Sequence, residues 1–236
     1  MGILRMGREG ALLFLEEKMQ KTRTRWIVGG FAGWFGIAVI SIWLPTDQPK
    51  AYLTLIALQQ AIFLICGIMG ADWTQFARPS GRSILQGVVL GFGLYLTNIL
   101  SGTFVVHLLE LFGAHRALRL ALEERSVMEA VLQSGSSTVV LLVFLSVVFA
   151  APIAEEIFFR GALQGRLAAL LGTKAALILT ALVFAALHLY IIQFFPVMLA
   201  GLYLGFTVDR TKDLSKAVVA HSAANCLTFL AVLAAL

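Results

Sequence analysis

Long apolar segments with almost no charge dominate this sequence. Of its 236 residues, 59% are hydrophobic and 13% are charged, whereas a typical soluble domain has about 25% charged residues. An apolar segment of about 20 residues can cross a bilayer as a helix. The segments are unbroken, while the strands of a membrane β-barrel alternate between polar and apolar residues. The sequence therefore predicts an all-α fold, a polytopic transmembrane helical bundle, and excludes an outer-membrane barrel.

Seven segments are apolar enough to be predicted as membrane spans: residues 26–44, 51–70, 84–106, 138–166, 174–193, 195–209 and 214–236. Residues 1–25 are amphipathic and charged, and they predict an interfacial N-terminal helix. The mixed-charge segment 107–137 is either an amphipathic helix or a solvated connector. No internal repeat or composition break is visible, so residues 1–236 are predicted to form a single membrane-embedded domain.

The distribution of Lys and Arg predicts how the bundle is oriented in the membrane. Basic residues concentrate in the N-terminal segment and in the loops at 72–82, 160–174 and 209–216, which fall on one side if seven spans are counted. Cytoplasmic loops are enriched in Lys and Arg, so the N-terminus is predicted to be cytoplasmic. The net charge of +5 then reflects topology and contact with the lipid bilayer. No basic stripe with interleaved aromatic residues suggests a nucleic-acid partner.

Three short polar motifs interrupt the apolar C-terminal half. They are E-E-x-x-x-R at 155–160, F-x-x-x-H at 184–188 and H-x-x-x-N at 221–225. Ionisable residues inside a membrane are costly, so they normally face a protein interior or cavity and serve a function there. Carboxylates, imidazoles and an amide are the groups that can activate water and stabilise an oxyanion.

The depth of these residues is consistent with one shared site. With a rise of about 1.5 Å per residue from the predicted cytoplasmic edges, Glu155 lies about 16 Å deep and His188 about 21 Å deep. On the last span, His221 lies about 12 Å deep and Asn225 about 18 Å deep. All four depths fall in the middle third of a bilayer core about 30 Å thick.

Helical spacing suggests different tasks for the two glutamates. Glu156 and Arg160 are four residues apart with the acid first, the favourable order for an ion pair, whereas Glu155 is offset by about 100°. Glu155 is therefore predicted to face a cavity while Arg160 holds Glu156. His221 and Asn225 share a helix face. Simpler interpretations remain open: the ion pair could only anchor a helix end, and a buried His or Asn often bridges helices.

The order and placement of the three motifs resemble the CPBP family of CAAX-processing and bacteriocin-processing intramembrane proteases, also called the Abi family. This family includes the type 2 CAAX prenyl endopeptidases. The resemblance covers about residues 138–236, which contain all three motifs. It implies a glutamate-type intramembrane endopeptidase that acts on a membrane-anchored peptide or protein.

The resemblance also implies a role for each motif residue. Glu155 and His188 would activate water, and His221 and Asn225 would stabilise the oxyanion. The predicted catalytic set is Glu155, Glu156, His188, His221 and Asn225, with Arg160 and Phe184 as structural support of the site.

The sequence leaves alternatives open for the cofactor, for the substrate and for the class of function. No metal or other cofactor is expected, because H-E-x-x-H is absent and Asn suits an oxyanion better than zinc. A zinc protease using Glu155, His188 and His221 as ligands is the alternative mechanism. The substrate is either a prenylated CAAX-like C-terminus or a membrane-embedded peptide, and the composition suits a prokaryotic plasma membrane. A scaffold or transporter with a proton relay is the alternative from another class.

Overall fold

The fold is helical, as predicted from the apolar segments. The structure is a computed structural model that describes residues 8–43, 49–120, 132, 136–189 and 192–236. Its seven long helices are α1 (Arg8–Ile42), α2 (Pro49–Gly70), α3 (Gly81–Leu111), α4 (Ser137–Leu171), α5 (Thr173–Leu187), α6 (Phe194–Thr211) and α7 (Leu214–Ala234). A short 3-10 helix, Trp73–Gln75, and a helical run at 115–120 complete the described part, which contains no strand.

Five of these helices are long and apolar enough to cross a membrane: α1, α2, α3, α4 and α7. Helix α5 is apolar but only 15 residues long, and α6 is not among the five. Large apolar side chains point outward along the bundle, such as Phe35, Leu85, Val89 and Leu100, which are 64–70% exposed. An outward apolar surface suits lipid. The helical membrane bundle is therefore confirmed, whereas the number of seven spans is not.

Several helix boundaries differ from the predicted ones. The charged residues from Arg8 onward are helical, but they continue into the first span as one 35-residue helix. Helix α3 runs on to Leu111, beyond the predicted end at 106. The predicted span 174–193 is wrong at its end, because α5 stops at Leu187. Part of the mixed-charge segment, at 121–131 and 133–135, lies outside the described residues.

The loops that were predicted to share one side of the membrane meet at one end of the bundle, here called the basic end. The contacts are Arg23 Nη1 to Asp72 Oδ2 at 2.8 Å, Arg166 Nη1 to Gln20 Oε1 at 3.1 Å, and the Ala77 N–H to the Lys212 carbonyl at 2.7 Å. These bonds join the N-terminal part of α1, the loop after α2, the end of α4 and the loop before α7. Their common side agrees with the charge-based topology.

Helix α3 packs closely on α7 through a G-x-x-x-G motif formed by Gly87 and Gly91. A Cβ atom at Gly91 would lie 2.6 Å from Ala223 Cβ and 2.7 Å from the Ala220 carbonyl oxygen. Only a residue without a side chain allows this approach, which is how small residues bring membrane helices together. The contact fixes the helix that carries the third motif.

Helix α4, which carries the first motif, is not a regular α-helix. It contains two π-helical stretches, Ser146–Ala150 and Glu156–Gln164. Between them lies Pro152, which lacks a backbone N–H and cannot continue an ordinary hydrogen-bond ladder. Such wide turns frequently occur at functional sites. Gly172, with φ of 84°, then ends α4 in a conformation that suits glycine and reverses the chain into α5.

Two hydrogen bonds attach the π-helical stretch of α4 to the backbone of α6. Arg160 Nη2 donates to the Gly201 carbonyl at 3.2 Å, and Gln164 Nε2 donates to the Gly205 carbonyl at 3.1 Å. Donor and acceptor residues are both four positions apart, so each pair occupies one face of its helix. Both acceptors are glycine carbonyls, and a glycine has no side chain to block the approach of the donor.

An aromatic cluster joins α1 and α2 to α4. The Phe158 ring stacks on Phe63 with centroids 4.6 Å apart and meets Phe31 edge-on at 5.3 Å. Phe159 meets Phe63 edge-on at 5.5 Å. Phe158 and Phe159 are fully buried and belong to the core. The cluster packs the N-terminal helices beside the first motif.

Candidate active site

A cavity of about 310 Å³ lies between α1, α2 and the first two motifs. Trp34, Leu55, Phe63 and Phe159 are among its apolar wall residues, and Glu155 and His188 are among its polar ones. Its volume is at the lower end of the range for ligand sites, about 300–1,000 Å³. The structure thus brings Glu155 and His188, which come from different motifs, to one apolar cavity.

His188 is held in a defined orientation at the end of α5. Its Nδ1 atom lies 2.7 Å from the Phe184 carbonyl oxygen, so in the neutral imidazole Nδ1 carries the proton and donates it. Nε2 then keeps its lone pair and can accept a proton. The next residue, Leu189, has φ of 58°, a costly conformation for leucine. The helix therefore ends abruptly at His188 instead of continuing.

Glu155 is half-buried and makes no hydrogen bond to any residue in the described part of the chain. It lies on the cavity wall, as the offset from Glu156 predicts. An acceptor-only carboxylate without an internal partner can take its hydrogen bond from a molecule in the cavity. Glu155 is therefore placed to meet a water molecule.

Glu156 lies behind the cavity in a buried cluster of charged and polar groups. Its Oε1 atom is 3.1 Å from Arg160 Nη1 and 2.9 Å from His221 Nδ1. Glu156 and Arg160 are 0% and 1% exposed, and His221 is 8% exposed. A buried carboxylate needs such partners, because an unpaired buried charge is strongly destabilising. The cluster ties the first motif to the third.

The Phe184 ring contacts His188 on one side and the buried cluster of Glu156, Arg160 and His221 on the other. Its centroid is 4.7 Å from the His188 ring and 6.1 Å from the His221 ring. The guanidinium carbon of Arg160 lies 4.4 Å from the same centroid, within cation–π range. Phe184 is buried, and its position fits the structural support predicted for it.

Asn225 is tied to the irregular helix α4. Its Nδ2 atom donates to the Val147 carbonyl oxygen at 2.9 Å. The amide nitrogen carries a second hydrogen, which this bond leaves available. His221 and Asn225 thus contact α4 at two separate points, Glu156 and Val147.

The described residues contain no group of three or more His, Cys, Asp or Glu side chains that could hold a metal ion. Glu155, His188 and His221, the ligands of the alternative zinc mechanism, therefore do not form such a group in this structure. The Nδ1 atoms of His188 and His221 are each bound to an oxygen of the protein.

The walls from α1 and α2 are the part of the site that the motifs did not predict. Gln59 lies on the cavity wall, and Gln60 beside it bonds Ser146 of α4 at 2.9 Å. The sequence feature that could have indicated these walls is the pair Gln59-Gln60 inside an otherwise apolar predicted span. The three motifs contain nothing that connects this pair to the site.

The fold and the site together define a polytopic helical membrane protein with a carboxylate–imidazole site inside its apolar bundle. Residues 137–227 match the family model described as "Type II CAAX prenyl endopeptidase Rce1-like". The match contains all three motifs and bears out the resemblance that they predicted. No curated protein and no solved structure gave a significant match. The family supports a CAAX-type intramembrane endopeptidase as the broad class of activity.

Proposed function

We propose that this protein is a glutamate-type intramembrane endopeptidase that cleaves peptide bonds of membrane-associated or prenylated CAAX-like substrates. The observation that carries the proposal is the presence of Glu155 and His188, from two separate motifs, on the wall of one cavity. The apolar walls suit a lipid-anchored or membrane-embedded segment. The family match over residues 137–227 supports the same class.

In the proposed reaction, Glu155 accepts a proton from water while the water oxygen attacks the carbonyl carbon of the scissile bond. His188 helps to orient that water through Nε2, because Nδ1 is bound to the Phe184 carbonyl. The tetrahedral intermediate then collapses, the C–N bond breaks, and the leaving amine takes up the proton. General base catalysis of this kind contributes about 10²- to 10⁴-fold.

His221 and Asn225 are proposed to stabilise the oxyanion of that intermediate. Asn225 has an amide hydrogen beyond the one that binds Val147. With Nδ1 of His221 donating to Glu156, donation toward the oxyanion requires a second proton, on Nε2. Glu156 therefore acts as a positioning residue that orients this imidazole, and Arg160 neutralises the carboxylate that does so.

A reaction without metal or other cofactor is proposed for this site. It is supported by the finding that the three candidate zinc ligands do not form a metal-binding group in the described part of the chain. The proposed setting is a prokaryotic plasma membrane. The basic end of the bundle supports a cytoplasmic N-terminus.

The test compares cleavage of a farnesylated CAAX peptide, its unprenylated form and an apolar membrane-embedded peptide by the purified protein in detergent. We expect cleavage of at least one of them, and a loss of several orders of magnitude in Glu155→Gln at an unchanged melting temperature. The peptide preferred by the parent protein identifies the substrate class. Retained cleavage by Glu155→Gln would rule out the mechanism, and no cleavage of any peptide would count against the function.

A further inference from the structure

Gln59 is a polar residue of the cavity that belongs to none of the three motifs. It lies on α2, on the same helix face as Leu55 and Phe63, four residues away on either side, and all three line the cavity. It is half-buried and has no hydrogen bond to any residue that the structure describes. It also lies outside residues 137–227, which match the family.

Two neighbouring uncharged polar side chains have partners. Gln60 bonds the Ser146 hydroxyl, and the Ser41 hydroxyl in the cavity donates to its own helix at the Ala38 carbonyl, 2.7 Å away. The amide of Gln59 is thus distinguished from them by being free. It shares this property with Glu155 on the same cavity wall.

A free amide at this depth is energetically costly. Gln59 is 11 residues from the end of α2 at Gly70, which corresponds to about 16 Å from the basic end. Glu155 was placed at about 16 Å by the same rise per residue. Removing an amide from water without giving it a hydrogen bond is unfavourable, so a partner is expected when the cavity is occupied.

We propose that Gln59 binds a backbone peptide group of the substrate, next to the bond that is cleaved. Its carbonyl can accept from a peptide N–H while its NH₂ donates to a peptide C=O, so the side chain complements an extended chain. A prenyl chain offers neither group and fits the apolar walls instead. This inference rests on the proposed function and adds a binding residue from the N-terminal half.

The first test measures steady-state kinetics of Gln59→Leu with the peptide that the parent protein cleaves fastest. Losing one or two neutral hydrogen bonds to the substrate should raise KM about tenfold. The matched control is Gln60→Leu, which removes the bond to Ser146 and should lower the melting temperature with KM unchanged. An unchanged KM and kcat in Gln59→Leu overturns the proposal.

The second test changes the substrate instead of the protein. In a series of peptides, one flanking peptide bond at a time is replaced by an ester, which removes its N–H. At one position the ester should weaken binding to the parent protein severalfold and have little effect on Gln59→Leu. If every ester affects both proteins equally, Gln59 does not bind the peptide backbone.

A binding measurement separates this inference from the proposed catalytic function. The dissociation constant of a fluorescent farnesylated CAAX peptide is measured in the Glu155→Gln background, with and without Gln59→Leu. A Kd that rises about tenfold supports the role of Gln59 even if the parent cleaves no peptide. An equal Kd, or no binding at all, overturns it.

Discussion

The side-chain amide of Asn225 donates a 2.9 Å hydrogen bond to the carbonyl oxygen of Val147. Val147 lies in a π-helical turn in which the Ala151 N–H bonds the Ser146 carbonyl, five residues back. The next donor in this ladder would be residue 152, which is a proline and has no N–H. Asn225 therefore supplies the donor that Pro152 cannot, and fastens α7 to the helix that carries Glu155 and Glu156.

Asn225→Ala is expected to lower both stability and turnover, for separable reasons. The loss of the bond to Val147 should lower the melting temperature, because interhelical bonds of this kind contribute about 0.6 kcal/mol on average. The loss of an oxyanion donor should reduce turnover per folded molecule about 100- to 1,000-fold. Both quantities are measured on one detergent preparation. If Asn225→Ala shows normal turnover per folded molecule, Asn225 does not stabilise the oxyanion and serves only to bond Val147.

The matched background for this experiment is Pro152→Ala, which restores a backbone N–H near Val147. In that background Asn225→Ala should cost less stability than in the parent, since Val147 has a second donor. The loss in turnover should persist in both backgrounds. A double-mutant cycle reports the difference directly.

Glu156→Gln and Arg160→Gln are each expected to destabilise the protein, because each leaves a buried group without its ionic partner. Breaking a buried pair typically costs about 3–5 kcal/mol. The double variant Glu156→Leu/Arg160→Met should recover much of that stability, since apolar replacements of both partners are often tolerated. It should remain impaired in turnover, because His221 has lost the carboxylate at Nδ1. Thermal unfolding and single-turnover rates test both points.

A Glu156→Gln protein that is inactive but as heat-stable as the parent would contradict the positioning role. It would place Glu156 among the groups that act directly on the substrate.

Removal of metal is expected to leave the activity unchanged. After dialysis against a strong chelator, the purified protein should cleave at its original rate, and elemental analysis should find no stoichiometric zinc. The opposite result is one zinc per chain, with activity lost on chelation and restored by the metal. It would make Glu155, His188 and His221 ligands, which requires them to move together.

Asp213 is expected to make stability depend on pH. It is the N-cap of α7, accepting from the Ser215 and Lys216 N–H groups, and it also accepts from the Ser83 hydroxyl of α3 at 2.6 Å. Burial alone would raise the pKa of Asp213, but the hydroxyl bonds from Ser215 and Ser83, together with the backbone N–H and the charge of Lys216, hold the pKa below its usual value.

Because the folded-state pKa of Asp213 is depressed, its contribution to stability is complete above the unfolded value of about 3.9 and is lost as pH falls below it. Melting temperatures from pH 7 to pH 3 should show this decline. Asp213→Ala should lower stability at pH 7 by about 0.5–2 kcal/mol, as expected for loss of a cap, and should flatten the decline. The control is Asp209→Asn, whose ion pair with Lys212 is more exposed and should contribute little. An equal effect of both variants would contradict the capping role.

The sequence by itself determined the features that depend on composition and local spacing. Unbroken apolar runs require helices in a membrane, because backbone groups must be satisfied within the segment. The four-residue spacing of Glu156 and Arg160 was sufficient to predict their ion pair. The offset of one residue between Glu155 and Glu156 was sufficient to predict that Glu155 faces a cavity. The order of the three motifs likewise predicted the family.

Only the tertiary structure decided the contacts between residues far apart in the chain. The sequence does not show that Glu156 meets His221, 65 positions away, nor that α2 brings Gln59 to the cavity. The hydropathy pattern also predicted that the fifth span continues past Leu187. Hydropathy measures apolar character and cannot detect the left-handed backbone conformation at Leu189. These outcomes depend on how the helices pack against each other. The close contact of Gly91 with α7 and the bond of Asn225 to the Val147 carbonyl join helices that no local sequence pattern pairs.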